Sequence, residues 1–313
     1  MSSSPDALET SYAFCRRLSR RAGSSFHAGF LLLPREQRRA MEALYAFMRC
    51  TDDLADEGTG GGGRGTGEVV LPNQVPGRRE SLAAWRAALQ QALAANPPST
   101  FPLPPSALFP ALADVVHRFR IPHEHLLAVI DGVEMDLAPR RFETFDELEP
   151  YCERVASAVG LACIYIWGFR GPEAFEPARQ AGVALQLTNI LRDVKEDAAA
   201  GRVYLPLADL RCCGYSEEEL AAGTANGAFL DLMRLEIERT KQFYRAAGGL
   251  RDWLEPDGRL IFGLMTATYR KLLEQIERCP ADVLRRRIRV GSLTKLRLFA
   301  RWMVSSRASS SAE

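Results

Sequence analysis

Asp52 and Asp56 stand four residues apart, and Asn189, Asp193 and Asp197 take the same step twice. In an α-helix that step brings side chains onto one face, about 6 Å apart along the axis, so each set forms a stripe of oxygen donors. Taken alone, such an acidic pair is more often a solvated helix face. The flanks argue otherwise: Tyr45, Ala46, Phe47, Met48 and Leu54 surround the first stripe, and Leu185, Leu187, Ile190 and Leu191 the second. Both helices are therefore expected to be largely buried, with the carboxylates facing a cavity. Buried carboxylates are costly unless partnered, and a hard divalent cation is the natural partner. Magnesium completes its shell with water and phosphate oxygens, so an ion here implies a phosphorylated ligand. Arg49 and Arg192 lie beside the stripes and could each hold phosphate oxygens or pair with a neighbouring carboxylate. No nucleotide cradle is expected, because GTGGGGRG lacks the GK[ST] ending and no GxGxxG follows a strand.

The elements that must carry these residues read as helices. Apolar positions recur at helical spacing, and no stretch alternates with period two between turn signals. The fold class is therefore all-α. One helix spans about 34–57 and another about 78–95, separated by a glycine-rich loop at about 58–77 and followed by the proline-rich NPPSTFPLPPS. A Thr144-x-x-Glu147 capping box is expected to open a helix with Leu148, Cys152, Val155, Val159, Ala162 and Ile166 on one face. The uncharged run 155–169 within it is shorter than the ~20 apolar residues of a membrane span, and reads as a buried central helix. Another helix spans about 172–199. Ser216-x-x-Glu219 is a further capping box, before a helical region that aligns Phe229, Met233, Ile237, Thr240 and Tyr244. Ile261, Met265, Tyr269, Leu272 and Ile276 mark the next helix.

Lysine plus arginine (40) nearly balance aspartate plus glutamate (39), so bulk charge favours neither nucleic acid nor an acidic polymer as partner. The 7 cysteines have no C-x-x-C pair or framework spacing, which fits a reducing compartment, and MSSSPDALET lacks the character of a signal peptide. A cytoplasmic location is expected. His27, His117, His123 and His125 have no zinc spacing; His123 and His125 read as a helix start. The stretch SLTKLRLFARWMVSS has the pattern of a basic amphipathic helix, whose apolar side is expected to pack on the core or to touch a membrane surface. A short tail follows at about 306–313.

In SSFHAGFLLLP, ALYAFMRCTDDLADE, YCERVASAVGLACIYIWG and ALQLTNILRDVKEDAAAGRVYLP the chain resembles the squalene/phytoene synthase family over roughly residues 11–305. Within it, SSF…LLLP with DGVEMDL looks most like bacterial presqualene diphosphate synthases. The resemblance implies one domain over 1–313, the isoprenoid-synthase fold, with a central channel and both acidic motifs at its mouth. It further implies that Asp52 and Asp56 hold magnesium on one side and Asn189, Asp193 and Asp197 on the other, several ions being bridged by substrate diphosphate. Ser25, Phe26, Tyr45, Arg49, Gln186, Arg192 and Tyr269 fall where relatives contact the diphosphate or the reacting chain. Ala22 and Gly23 depart from the family's flap pattern.

The implied reaction is head-to-head condensation of two prenyl diphosphates. Two farnesyl diphosphates would give presqualene diphosphate, with squalene or dehydrosqualene beyond it; the alternative is phytoene from two geranylgeranyl diphosphates. NADPH is not expected, for want of a dinucleotide motif. Departing diphosphate or Tyr45 would serve as base. Downstream isoprenoid enzymes are the expected protein partners. A chain-elongating prenyltransferase or terpene cyclase is a competing enzyme reading, weakened by the flanks of the second stripe. A catalytically silent assembly subunit is the reading from another class, and the intact aspartates oppose it.

Overall fold

The computed structural model describes residues 5–21, 29–56, 77–94, 106–138, 140–291, 293–294 and 297. Among them the only β-type pairings are two isolated bridges, Arg141 with Val203 and Phe169 with Leu254, and every other regular element is helical. Backbone contacts cluster into two units, one formed by Met1–His27 and Arg39–Ala138, the other by Ala28–Arg38 and Pro139–Glu313.

The first unit carries helices α1 (Pro5–Arg21), most of α2 (Arg35–Asp56), α3 (Gly77–Ala92), α4 (Phe109–Phe119) and α5 (His123–Met135). Its core centres on Trp85, which is fully buried, stacks on Phe47 at 6.0 Å and meets Phe109 at 4.7 Å. The indole N–H still needs an acceptor in this apolar setting. It donates to Thr51 Oγ1 at 2.9 Å, and that hydroxyl passes its own proton to the Phe47 carbonyl at 2.8 Å. This chain of bonds ties the last turns of α2, which bear Asp52, to α3. The buried Ser11 hydroxyl accepts from the Ala111 N–H at 2.9 Å, so a side chain of α1 supplies a partner for one of the first-turn amides of α4, which have no intrahelical acceptor.

The second unit contains α6 (Phe145–Cys152), a five-residue π turn (Glu153–Ser157), α7 (Ala158–Trp167), α8 (Phe175–Ala199), α9 (Leu207–Cys212), α10 (Glu217–Ala222), α11 (Gly227–Ala246), α12 (Leu250–Trp253) and α13 (Pro256–Arg278). Helix α8 packs against α11, α7, α13 and the π turn. Its Leu187, Thr188, Ile190, Leu191 and Val194 are buried, leaving Gln186, Asn189 and Asp193 on a less covered face.

Several expectations are corrected here. The 144–169 stretch is not one regular helix. The π turn adds a residue per turn, so Val155 and Val159 are only half-buried while Ser157 and Ala158 take the core positions. Close approach explains it: a Cβ on Gly182 of α8 would lie 2.3 Å from Ser157 Cα. Ser157 Oγ donates to the Arg179 carbonyl at 2.7 Å, and the Arg179 guanidinium reaches Glu149, Glu153 and Glu176. The Thr144/Glu147 box does not form either. Thr144 caps without a side-chain bond, and Glu147 reaches back to the Glu143 N–H at 2.8 Å. The Ser216/Glu219 box does form, but its helix stops at Gly223, whose φ of +68° lies in the left-handed region, and Asn226 caps a separate α11. Gly77 begins α3; the loop before it, Ser25, Phe26 and the 306–313 tail lie outside the described residues.

Beyond Asp197 the chain turns at Gly201 and runs through buried Val203, Tyr204 and Leu205, with Tyr204 stacked on Tyr151. Behind it, Arg239 of α11 joins Glu236 (2.6 Å) to Asp209 of α9 (2.8 Å) while lying over the Phe145 ring. Burial pushes the Glu236 carboxyl from 4.5 up to about 7; Arg239 pulls it down and Asp209 adds to the rise. The folded value lies above the unfolded one, so the fold favours the protonated form. Stability from this group is full below about 4.5 and is lost as pH rises through about 7. Melting curves between pH 5 and 8.5 should therefore show wild-type stability falling on the alkaline side. Glu236→Gln should flatten that fall, and an unchanged slope would refute the assignment.

Candidate active site

In the first unit α2 brings Tyr45, Arg49 and Asp52 onto successive turns, as the spacing predicts. Tyr45 is half-buried, whereas Asp52 and Arg49 are exposed rather than sunk in the helix packing. The flanking apolar residues misled because they face inward from the opposite side: Ala46, Phe47 and Cys50 form the buried face. Arg49 pairs with Asp53, a residue the stripe does not include, at 2.6 Å. The backbone of Asp56 is the last turn of α2, and its side chain lies outside the described residues.

In the second unit the whole donor stripe sits on α8. The Asp193 and Asp197 side chains are 19% and 18% exposed, enough to meet a ligand and too little to be ordinary surface carboxylates. Asn189 Nδ2 faces Gln186 Oε1 at 3.4 Å, while Asn189 Oδ1 is buried with no hydrogen-bond partner. A buried acceptor left bare costs about 1–3 kcal/mol unless something satisfies it. Tyr269 of α13 stands beside Asn189 and Arg192. Burial raises its hydroxyl pKa, and those two side chains pull the other way. On the inner face Thr188 Oγ1 spends its proton on the Ala184 carbonyl at 2.8 Å, so the Tyr244 hydroxyl, 2.9 Å away, must be the donor to Thr188. That bond fixes α8 one residue before Asn189.

Gln186, Asn189, Arg192, Asp193 and Tyr269 are thus gathered around one stretch of α8. One member was missed. Arg287, in the segment after the 3-10 turn Pro280–Leu284, reaches Asp193 with Nε at 2.9 Å and a terminal nitrogen at 3.1 Å. Arg192 takes the same carboxylate through Nε at 2.7 Å and through a second, shorter contact. The salt-bridge alternative left open for Arg192 is the one formed here. The available signal was the run RRRIRV, in which buried Ile288 and Val290 alternate with exposed arginines; nothing in it points to a residue on α8.

Among the described residues no three His, Cys, Asp or Glu side chains converge. The second stripe offers two carboxylates and a bare amide oxygen, all hard donors, which is a set that suits magnesium and not a soft metal. No helix among those residues is long and apolar enough to cross a membrane.

This arrangement of helices is that of the isoprenoid synthases of squalene type. Squalene synthase HpnC from Alicyclobacillus acidocaldarius superposes with a TM-score of 0.75 at 26% identity, over 88% of this chain and 96% of that one. A dehydrosqualene synthase solved with a ligand gives 0.79 at 24% identity, over 96% and 98%, a likeness of fold alone. The squalene/phytoene synthase profile matches residues 19–294, and the chain belongs to that family. It is accordingly a prenyltransferase of the head-to-head condensing type. Phytoene synthase from Arthrospira platensis is 34% identical over 305 residues, 93% of this chain and 92% of the relative, and phytoene synthase from Mycobacterium tuberculosis is 32% identical over 302 residues, 96% and 92%.

Proposed function

We propose that the chain joins two C20 prenyl diphosphates head to head and carries the product through to phytoene. The observation that carries this reading is the 34% identity to a phytoene synthase across nearly the whole of both chains. It favours the second of the two products weighed from sequence over presqualene diphosphate. The C15 reading is kept by the squalene synthase that shares the fold at 26% identity.

In this reading Asp52 and Asp56 would hold magnesium on the first unit, and Asn189, Asp193 and Asp197 would hold it on the second. When bound, the ions neutralise diphosphate and make it a leaving group. Arg49 and Arg192 receive phosphate oxygens as charge-assisted, bidentate donors. Loss of the first diphosphate leaves an allylic cation at C1. The C2=C3 bond of the second chain attacks it, and loss of one proton closes a cyclopropane. Loss of the second diphosphate, rearrangement and loss of a second proton give the C40 triene core, so two diphosphates and two protons leave and no reductant is consumed. Tyr45 on the first unit and Tyr269 on the second are the aromatic residues proposed to stabilise a passing cation or take a proton.

Mass spectrometry of products from C15 and C20 diphosphates, each with and without NADPH, tests the proposal. A C40 hydrocarbon from the C20 substrate without NADPH is expected. A C30 product with the C20 substrate left untouched would move the assignment to the C15 reading, and no coupled product from either would defeat the activity itself.

A further inference from the structure

We propose that Arg287 is a positioning residue that, together with Arg192, latches Asp193 until a diphosphate draws the guanidinium groups away, so that the second stripe is closed to a divalent cation in the absence of diphosphate. This rests on the magnesium reading above and adds an order of binding to it.

A carboxylate offers about four lone-pair sites, two on each oxygen. Arg192 grips Asp193 at two points, Nε to Oδ1 and a terminal nitrogen to Oδ2, while Arg287 donates a terminal nitrogen to Oδ2 at 3.1 Å and brings its Nε within ion-pair reach of Oδ1 at 2.9 Å. Those contacts engage both oxygens of the group and place two positive charges against its one negative charge. A cation arriving alone meets a carboxylate already held by two guanidinium groups. Its other donors, Asn189 Oδ1 and the Asp197 carboxylate, lie on the same face of α8, and Asp197 faces the Arg202 Nε at 3.6 Å.

Diphosphate reverses the balance. It carries more charge and more acceptor oxygens than one carboxylate, and guanidinium forks fit it equally well. The two arms differ in how readily they can leave. Arg192 is 18% exposed and sits on α8 beside Tyr269, whereas Arg287 is 44% exposed and stands on an irregular segment held by buried Ile288 and Val290. Lys195 of α8 donates to the Arg285 carbonyl at 2.9 Å, which pins the backbone of that segment to the helix two residues before Arg287.

Manganese is the probe, with free ion read by electron paramagnetic resonance on the full-length chain, with and without inorganic pyrophosphate. Arg287→Gln should bind manganese roughly tenfold more tightly than wild type without pyrophosphate, the factor expected for losing one charge-assisted contact. The two proteins should converge when pyrophosphate is saturating. The difference should vanish in an Asp193→Asn background, which assigns it to this stripe rather than to Asp52. Equal affinities of wild type and Arg287→Gln without pyrophosphate, in proteins that still bind manganese with pyrophosphate, would overturn the latch and leave the magnesium reading standing. A difference that survives in the Asp193→Asn background would also overturn it. Failure of wild type to bind manganese even with pyrophosphate would overturn both.

Discussion

Asp193→Asn should lower kcat/KM by about a thousandfold or more while the protein still folds, because the ion's stabilisation of departing diphosphate amounts to several kcal/mol. The substitution is nearly isosteric, so it tests charge and not shape. Its structural cost is modest: Arg192 and Arg287 lose a charged acceptor but keep an amide oxygen, a change worth roughly 1–2 kcal/mol at a partly exposed site. Circular dichroism and a melting curve separate the two effects. A well-folded Asp193→Asn protein turning over within threefold of wild type would remove Asp193 from the ion site. Asp52→Asn should behave alike, with an even smaller effect on melting, because Asp52 is exposed on α2. High magnesium should restore part of the activity of either variant, since a weakened site can be filled by mass action.

The second large effect is on stability. Gly182→Ala places a Cβ 2.3 Å from Ser157 Cα, 2.5 Å from its nitrogen and 2.7 Å from its hydroxyl oxygen. Two of those atoms are backbone, so no side-chain rotation relieves the overlap, and the π turn or α8 must move. We expect a loss of about 3 kcal/mol, at the upper end of overpacking costs, equivalent to roughly 5 °C in Tm for a chain of this size. Gly160→Ala is the matched control. Its Cβ meets only the Ala178 carbonyl oxygen at 3.5 Å, an ordinary contact. Replacing a mid-helix glycine there should be neutral or stabilising by up to about 1 kcal/mol. Equal melting temperatures for the two variants would show that the close crossing of the π turn and α8 does not constrain the fold. Gln186 lies one turn beyond Gly182, so whatever Gly182→Ala protein folds should also show a raised KM.

The contrast between those two glycines shows where reading from sequence stops. Both sit in helical patterns, and only the partner helix makes one of them irreplaceable. Similarly, the YCERVASAVG stretch predicts a regular apolar face, and the π turn shifts that face by a residue because α8 approaches too closely for a standard turn. The capping signals divide in the same way. Ser216 and Glu219 form their reciprocal pair, whereas Glu147 finds the Glu143 N–H, a donor that no local rule favours over Thr144.

The stripe on α8 was legible because a step of four residues within one helix is decided by local geometry alone, and the donor types state which ion they suit. Helix spans were legible for the same reason, since the 3.6-residue period is written into each segment. Only tertiary structure could decide what closes on that stripe. The pairing of Asp193 with Arg287 joins residues 94 positions apart, and the hydroxyl bond from Tyr244 to Thr188 spans 56. Such contacts depend on which helices dock and at what depth, and that is set by the summed packing of buried side chains, to which no single spacing in the chain corresponds.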